Sequence, residues 1–338
     1  MLKTQIVYVL VSSEQDYYLE ELWVSLFSLR QFHPDEKVLV LVDAPTAARI
    51  KNRPEMEKLI SEIRIIPVPE DYSGKFRSRE IKTSVRNFIE GDFLFIDTDT
   101  VITAPLDEVD TLPVKNIAMV PELHGPFKNH VTYDYTWRDV RRIFGVNVSD
   151  SPYWFNSGCM LVRDNDLTRE FFRKWNANWK YSAFNKGNSS DQRALLCTDK
   201  SYGYIIECLP DVFNCQVAMT IQYFYEAKIV HFWHFRNLYY SDLSYSPYCS
   251  KDIYKQLRQD GGISQETAWM ITNCKSSFRS PSMIVGKRDM SLLFSPFVSV
   301  LGKAYHDSKF VHWWVNCQIS LLSLYYRSKR KFMKNIKE

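Results

Sequence analysis

The first half of the chain alternates short apolar runs with segments of helical periodicity. Apolar runs of strand type occupy residues 5–11 (QIVYVLV), 37–42 (KVLVLV) and 63–68 (IRIIPV). Residues 18–32 and 44–60 repeat apolar positions at helical spacing, with a break near Pro54. Strands that alternate with helices pair in parallel through right-handed crossovers, so the pattern predicts an open α/β sheet.

The fourth apolar run, residues 93–96 (FLFI), ends abruptly at two carboxylates. Asp97 and Asp99 follow it and are separated only by Thr98. Ligand sites of open α/β sheets gather at the carboxyl ends of strands. Two hard oxygen ligands at such an end suit Mg²⁺ or Mn²⁺ bound together with a phosphate. Asp and Thr are also ordinary turn and N-cap residues, so the motif alone leaves a plain turn equally open.

A helix predicted over residues 76–89 precedes this strand and carries several cations. Lys82 and Arg86 are four residues apart and share a helix face, and Arg79 lies one turn before Lys82. Lysine and arginine bind phosphates, which makes one or two of these side chains candidates to reach a diphosphate near Asp97. A solvated helix face has the same composition, and the sequence leaves both interpretations open.

Beyond Asp99 the pattern of apolar residues predicts further strands at residues 117–120 and 228–234. Residues 153–162 run from aromatics through an Asn-Ser-Gly break into an apolar strand. Residues 121–152 are rich in Tyr, Trp, His and Asp, and we expect an irregular binding loop or lid there. The strand that contains His231 ends in histidines, so an imidazole could meet the two carboxylates. A lone histidine on an apolar strand is more often a packed core residue.

Composition restricts the functional class. The 338-residue chain is 45% apolar and 24% charged, as globular proteins are, and no segment is long and apolar enough to span a bilayer. Seven scattered cysteines without Cys-x-x-Cys spacing indicate a reducing compartment rather than a disulfide framework or a zinc site. The first residues run directly into a strand pattern without a signal peptide, so we expect a cytoplasmic protein.

The formal charge of +4 is concentrated at the C-terminus, where residues 327–338 hold six cations and one glutamate, a net charge of +5. The remainder is slightly negative, which argues against a nucleic-acid-binding face. Residues 310–326 predict a helix with an aromatic and aliphatic face that ends in these cations, as interfacial helices do. Peripheral contact with the cytoplasmic face of a membrane and docking on the catalytic domain both fit this pattern.

Several short motifs occur in the order typical of the family 8 glycosyltransferases. They are Lys82, Phe95-Ile96-Asp97-Thr98-Asp99, Pro105-Leu106, Phe155-Asn156-Ser157-Gly158, Asp191-Gln192, Leu209-Pro210 with Phe213-Asn214, and Ile229-Val230-His231-Phe232. Over residues 5–235 the chain resembles this family, which includes glycogenin and bacterial lipopolysaccharide galactosyl- and glucosyltransferases. The resemblance implies the GT-A fold, a Rossmann-like open mixed sheet flanked by helices, and retaining transfer of a sugar from a UDP-sugar.

The resemblance also implies a metal site. It assigns Asp97, Asp99 and His231 as ligands of Mn²⁺, with Mg²⁺ as the alternative. An imidazole ligand favours Mn²⁺, whereas carboxylates suit both ions. Breaking a sugar–diphosphate bond requires neutralisation of the leaving phosphates, which a metal ion and a nearby cation provide.

The donor site is implied in the same way. Tyr18 falls where the family stacks an aromatic ring on uracil, and Lys82 falls where it places a cation near the sugar or diphosphate. The implied donor-sugar pocket consists of Asn156, Asp191 and Gln192. Because a carboxamide is a poor nucleophile, we favour front-face attack beside Gln192, with Asp191 as the alternative nucleophile of a double displacement.

The match has two departures. After its histidine the family continues with glycine and Lys-Pro-Trp, whereas this chain has Phe232-Trp233-His234-Phe235-Arg236. Arg236 is the candidate replacement for the missing lysine, and Thr98 and Arg86 complete the predicted donor contacts. The loop at residues 12–17 is longer than the usual form.

We therefore predict two parts of the chain. Residues 1–240 form the nucleotide-sugar-binding catalytic domain, and residues 241–338 form a helical extension with a basic tail. The expected reaction transfers a hexose, glucose or galactose, from a UDP-sugar to a glycan or glycolipid acceptor. The alternatives are an inverting GT-A transferase with Asp191 as general base and a non-catalytic scaffold that binds nucleotide sugars.

Overall fold

The computed structural model describes residues 2–217, 220, 222–232, 251–277, 291–292 and 295–335. The chain divides into two compact units. The first comprises residues 1–236 and 243–281, and the second comprises residues 237–242 and 282–338. This division differs from the boundary predicted at residue 240, because the helices between residues 251 and 277 pack into the hydrophobic core of the first unit.

The described residues of the first unit contain ten strands. In chain order they are β1 (Gln5–Leu10), β2 (Val38–Val42), β3 (Glu62–Ile65), β4 (Phe93–Ile96), β5 (Thr100–Ile102), β6 (Ile117–Pro121), β7 (Phe155–Val162), β8 (Ile206–Cys208), β9 (Cys215–Gln216) and β10 (Ile229–His231). Seven of them form a sheet of order β3-β2-β1-β4-β7-β6-β8, and the other three form a small sheet of order β5-β10-β9.

Helices flank the two faces of the large sheet. They are α1 (Tyr18–Phe32), α2 (Ala44–Lys51), α3 (Pro54–Glu57), α4 (Gly74–Thr83), α5 (Tyr133–Phe144), α6 (Asp166–Lys180), α7 (Asp191–Ser201), α8 (Lys251–Asp260), α9 (Gln265–Thr272) and α10 (Cys274–Ser277). Two hydrophobic clusters on opposite faces of the sheet bury its central strands. Strands buried on both faces are continuous apolar runs, which is why β1, β2 and β4 were predictable.

The predicted fold class is confirmed as an α/β fold with an open mixed sheet between helices. Strands β1, β2, β3 and β4 pair in parallel, as the alternation of strands and helices predicts. β7 runs antiparallel to both β4 and β6. β3 lies at one edge of the sheet with exposed positions, where a proline such as Pro67, just beyond the strand, is tolerated.

Two local predictions are wrong. The helix predicted over residues 76–89 ends at Thr83, because the backbone of Ser84 (φ −111°, ψ 10°) leaves the helical conformation, and the Ser84 hydroxyl donates a hydrogen bond to Glu80 O at 2.6 Å. A 3₁₀ turn (Val85–Phe88) follows. The stretch predicted as an irregular loop contains α5, whose apolar side chains form a separate small core with Phe127 and Trp154.

The described residues beyond 250 are largely helical, as predicted. Helices α8 and α9 place apolar residues against α1, in a cluster that joins Val24 to Leu257 and Ile271. In the second unit, helices span Pro296–Asp307 and Lys309–Asn335. Among the helices whose residues the structure describes, none combines the length and the apolar character needed to cross a membrane.

A buried carboxylate near the end of α7 makes folding sensitive to pH. Asp199 is 2% exposed, and the backbone N–H of Ile206 donates to its side chain at 3.1 Å. Burial raises the pKa of Asp199 from 3.8 to about 7, and the backbone donors of Ile206 and Ile205 offset only part of that effect. The folded state therefore holds this proton more tightly than the unfolded chain does.

We predict that Asp199→Asn stabilises the protein in neutral solution. The raised pKa stabilises the native state in acid, and this contribution is lost as the pH rises from 3.8 through about 7. The amide keeps the acceptor oxygen and carries no charge, so the variant escapes that loss, which amounts to about 1.4 kcal/mol per unit of pKa shift. Urea denaturation should show an unfolding free energy above that of the wild type at neutral pH and a difference that vanishes in acid.

The exposed Asp134 on α5 provides the control, since Asp134→Asn also removes a carboxylate but changes no buried charge. A constant difference between Asp199→Asn and the wild type across this pH range would contradict the prediction.

Candidate functional site

Several strand ends meet at one edge of the large sheet. β4 and β6 end there, and β7 begins there because it runs antiparallel, with Ile96 opposite Cys159 and Pro121 opposite Phe155. The register of β7 against β6 shifts between Met119 and Val120, an irregularity that redirects side chains near a site. This edge therefore collects the polar residues that follow β4 and β6 and those that open β7.

Asp97, Asp99 and His231, here called the metal-type cluster, lie together where the small sheet meets this edge of the large sheet. β5 follows directly after Asp99 and pairs antiparallel with β10, which places His231 opposite Thr100. The backbone N–H of Phe232 donates to Asp99 O at 2.9 Å. His231 Nε2 lies 3.2 Å from Asp99 Oδ1, and one ligand atom from each of Asp97, Asp99 and His231 lies within 4.8 Å of the others. The three predicted ligands are thus brought together.

The donor set fits a divalent cation. Two carboxylate oxygens and one imidazole nitrogen are ligands that Mn²⁺ accepts, and the residues leave room for phosphate oxygens. Burial alone would lower the pKa of His231, but the Asp99 carboxylate outweighs burial and raises it. The same negative potential favours a bound cation. Lys82, 3% exposed, holds Asp97 through contacts of 2.8 Å to both carboxylate oxygens.

The orientation of the imidazole is set by a neighbouring amide. His231 Nδ1 donates to Asn214 Oδ1 at 2.9 Å, which leaves Nε2 facing the carboxylates. Gly158 permits the close approach of the ring. A Cβ atom at this glycine would lie 2.4 Å from His231 Cε1 and 2.8 Å from Nδ1. Any side chain at position 158 would therefore displace the histidine.

A chain of buried amides links the histidine to the predicted sugar pocket. Asn214 Nδ2 donates to Asn156 Oδ1 at 2.9 Å, and Asn156 Nδ2 donates to Glu122 Oε2 at 2.8 Å. Gln192 Nε2 donates to the same Glu122 oxygen, also at 2.8 Å. Burial raises the pKa of Glu122, although both amide donors favour its ionised form. Glu122 thus joins the two predicted pocket amides.

Asp191 completes this group at the start of α7. The Ser190 hydroxyl caps the helix, and the position of Asp191 in the first turn suits the helix dipole. Its carboxylate lies 3.3 Å from Arg79 Nε and accepts from the Ser157 hydroxyl at 3.2 Å. Burial would raise the pKa of Asp191, but the charges of Arg79 and Lys82 outweigh burial and lower it. Asp191 is therefore held as an anion.

The other predicted site residues do not all lie near the cluster. Tyr18 is half-buried at the first position of α1, and Thr98 lies between the two carboxylates. Arg86 is not brought to the cluster. It is fully buried beside the start of β4, donates to Gly91 O at 2.7 Å and to Ile89 O, and lies 3.3 Å from Asp164. Arg236 lies outside the described residues.

Two residues to which the family resemblance assigned no role lie within this group. Arg79 takes the place expected of Arg86, because it lies one turn before Lys82 on α4 and contacts Asp191, whereas Arg86 follows the end of the helix at Thr83. Burial would lower the pKa of Arg79, and Asp191 reverses that effect, assisted by Asp97, Tyr18 and Asp99. Glu122 follows the apolar run of β6 as Asp97 follows β4, so the same strand-end signal was available for it.

No protein-family model and no curated protein matches the sequence. Three of the similar solved structures are glycosyltransferases. Mouse xyloside xylosyltransferase 1 in its apo form is 14% identical, with a TM-score of 0.45 over 68% of this chain and 97% of that one. The glycosyltransferase GlyE of Streptococcus pneumoniae TIGR4 is 15% identical, with a TM-score of 0.47 over 83% and 67%.

The galactosyltransferase LgtC in complex with donor and acceptor sugar analogues is 15% identical, with a TM-score of 0.48 over 78% of this chain and 98% of that one. At such identities and TM-scores, the function has to be argued from the residues of the site itself.

We predict that Gly158→Ala weakens Mn²⁺ binding about 10- to 100-fold, the range for loss of the contacts that orient a ligand. The added methyl group overlaps the His231 ring and moves it away from Asp99. Calorimetric titration with Mn²⁺ measures the effect. Gly262→Ala is the matched control, because a Cβ atom there meets no heavy atom within 4 Å. Wild-type Mn²⁺ affinity in the Gly158 variant would exclude His231 as a ligand.

Proposed function

We propose that this protein is a retaining, metal-dependent glycosyltransferase that moves a hexose, glucose or galactose, from a UDP-sugar to a glycan or glycolipid. One observation carries the proposal. The cluster of Asp97, Asp99 and His231 is joined by hydrogen bonds through Asn156 to Gln192. A candidate metal site of the kind that binds phosphates and the predicted sugar pocket therefore share one edge of the sheet.

The cations of α4 suit a diphosphate leaving group. Mn²⁺, when bound by the three ligands, would neutralise the charge that develops on UDP. The Lys82 ammonium is fixed beside Asp97 and adds a positive charge at the same place. Arg79 is held one turn earlier by Asp191. Preorganised charges of this kind stabilise a transition state without reorganisation of the site.

The pocket residues favour front-face attack over a covalent intermediate. Gln192 Nε2 is engaged by Glu122, which leaves Oε1 as the atom that can stabilise a cationic anomeric carbon. The two Asp191 oxygens are engaged by Arg79 and Ser157, so this carboxylate is poorly placed as a nucleophile. Its lowered pKa also makes it a weak general base, which disfavours the inverting alternative.

We further propose that the acceptor is handled at a membrane surface. The helix Lys309–Asn335 exposes large apolar side chains, among them Phe310 at 69%, Trp313 at 61% and Tyr325 at 60%. The basic tail follows on the same helix and adds attraction to anionic lipid, about 1 kcal/mol per cation near the surface. Both features are those of a peripheral, interfacial helix on the cytoplasmic face.

We predict that the protein releases UDP from one UDP-hexose only when Mn²⁺ is present, and that Asp97→Asn lowers this rate at least about 100-fold. The substitution removes a ligand charge and the partner of Lys82. Free nucleotide is followed with a panel of UDP- and GDP-sugars, with Mn²⁺ or a chelator. Asp107→Asn, an exposed carboxylate beyond β5, is the control.

The alternatives give different results in this assay. An inverting transferase would release UDP equally well but yield the opposite product anomer by NMR. A non-catalytic scaffold would bind Mn²⁺ and UDP without turnover. Absence of both turnover and Mn²⁺-dependent UDP binding would reject the proposal.

We predict that the full chain floats with vesicles that contain phosphatidylserine and remains at the bottom of the gradient with pure phosphatidylcholine vesicles. The expected contribution of the cations requires an anionic surface and falls with salt. Replacement of Trp313 and Trp314 by serine should weaken flotation while UDP binding remains. Equal flotation with both vesicle types would show that membrane binding does not depend on the charge of the basic tail.

A further inference from the structure

The loop between β1 and α1, residues 11–17, begins at the edge of the sheet that carries the metal-type cluster. β1 and β4 are parallel neighbours, and Val7 lies opposite Phe95. Residues two positions further along β1 therefore approach Asp97, and the loop leaves β1 directly beyond them. Tyr18, the predicted partner of the nucleotide base, follows this loop as the first residue of α1.

Arg258 of α8 forms hydrogen bonds with the chain on both sides of Tyr18. Arg258 Nε and Nη2 each donate to one carboxylate oxygen of Glu20 at 2.8 Å. Nη1 donates to Glu14 O at 2.8 Å, and Nη2 also donates to Asp16 O. Tyr18 lies between Asp16 and Glu20, so the same guanidinium fixes the backbone before the ring and the helical turn after it.

The ion pair between Arg258 and Glu20 is rigid because the Glu20 carboxylate is buried. Glu20 is 0% exposed and lies under a bidentate contact, and its hydrogen bond is the main cause of the raised pKa of Arg258. The guanidinium also lies 4.6 Å from the ring centroid of Tyr17, which in turn packs 5.8 Å from Tyr254 of α8. Water cannot replace a pair of this kind without leaving a buried charge uncompensated.

The loop has a defined shape of its own. The Asp16 carboxylate accepts from the Ser12 hydroxyl at 2.6 Å, from the Ser13 N–H at 2.8 Å and from the Tyr18 N–H at 3.2 Å. These bonds close the loop on itself, and Thr46 and Arg49 of α2 attach its beginning at Ser12. Arg258 attaches the part of the loop next to Tyr18, and it belongs to a helix more than 230 residues away in sequence.

We propose that Arg258 is a positioning residue for the base of the nucleotide donor, acting through Tyr18. This inference rests on the proposed function and assigns a role in donor binding to α8, a segment beyond the region of family resemblance. A ring whose backbone is held on both sides offers a stacking surface without first being ordered, so less conformational entropy is lost when the nucleoside diphosphate binds.

The test compares a ligand with a base and a ligand without one. Calorimetry measures the affinity for UDP and for inorganic pyrophosphate, both with saturating Mn²⁺. We expect Arg258→Met to weaken UDP binding about tenfold, at the lower end of what base–aromatic stacking contributes, and to leave pyrophosphate binding unchanged. Lys255→Met is the control, since Lys255 lies on the same helix, is half exposed and pairs only with Asp252 at 3.6 Å among its described ion pairs.

Removal of Arg258 alone leaves Glu20 buried without its partner and so lowers stability. The double variant Glu20→Met/Arg258→Met replaces the ion pair by apolar side chains and should restore the unfolding temperature. It should still lose UDP affinity, because the carbonyls of Glu14 and Asp16 are no longer held. Recovery of full UDP affinity in this double variant would overturn the inference.

A double-mutant cycle with Tyr18→Leu tests whether Arg258 acts through the ring. If it does, Arg258→Met causes little further loss of UDP affinity in the Tyr18 variant. Fully additive losses, or equal losses for UDP and pyrophosphate, would show a merely structural role. A wild-type protein that binds neither ligand with Mn²⁺ would reject the proposed function and this inference together, whereas wild-type affinities in Arg258→Met would reject the inference alone.

Discussion

The antiparallel pairing of β5 with β10 is the constraint on which the candidate site depends. It places His231 opposite Thr100, directly beside Asp99, and the bond from the Phe232 N–H to Asp99 O holds this register at the open end. A slip of one residue would turn the imidazole to the other face of the small sheet. The distance between imidazole and carboxylate is therefore set by backbone pairing, and side-chain contacts only refine it. Because β5 follows β4 after a short turn, the large sheet fixes Asp97 in the same frame.

Charge compensation explains why α4 carries cations towards this edge. Buried or half-buried carboxylates are costly unless they are paired. Asp97 is paired with Lys82, Asp191 with Arg79, and Asp99 lies against His231. The pairs compensate the charge of these carboxylates at the sheet edge, and they also place positive charge beside the place where a diphosphate would lie. A single arrangement thus serves both the stability of the apo fold and the recognition of an anionic ligand.

The parts of the site that were predictable follow strong local signals. Asp97 and Asp99 end a fully apolar run, and buried strands of a parallel sheet are continuous in sequence. The predicted placement of Arg86 is wrong because the helical periodicity of the sequence continues through Ser84, whereas the backbone leaves the helical conformation at that residue. Glu122 follows an apolar strand, as Asp97 does. It begins a stretch, however, that is rich in aromatic residues and was therefore predicted as an irregular loop, although it contains helix α5. The role of α8 depends on contacts between distant parts of the chain, which no local pattern contains.

The amide chain between the histidine and Gln192 permits one orientation of each group, and a backbone donor decides it. The Gly158 N–H can only donate, and it donates to Asn156 Oδ1 at 2.9 Å, so the Asn156 amide group must point its NH₂ towards Glu122. Asn214 must then direct its NH₂ to Asn156 Oδ1 and its oxygen to the His231 Nδ1–H. A carboxylate in place of either asparagine would lack the donor that the next acceptor requires. The glycine that makes room for the imidazole therefore also fixes its tautomer, through two intervening residues and three hydrogen bonds, and the metal side and the sugar side of the pocket are preorganised as one unit.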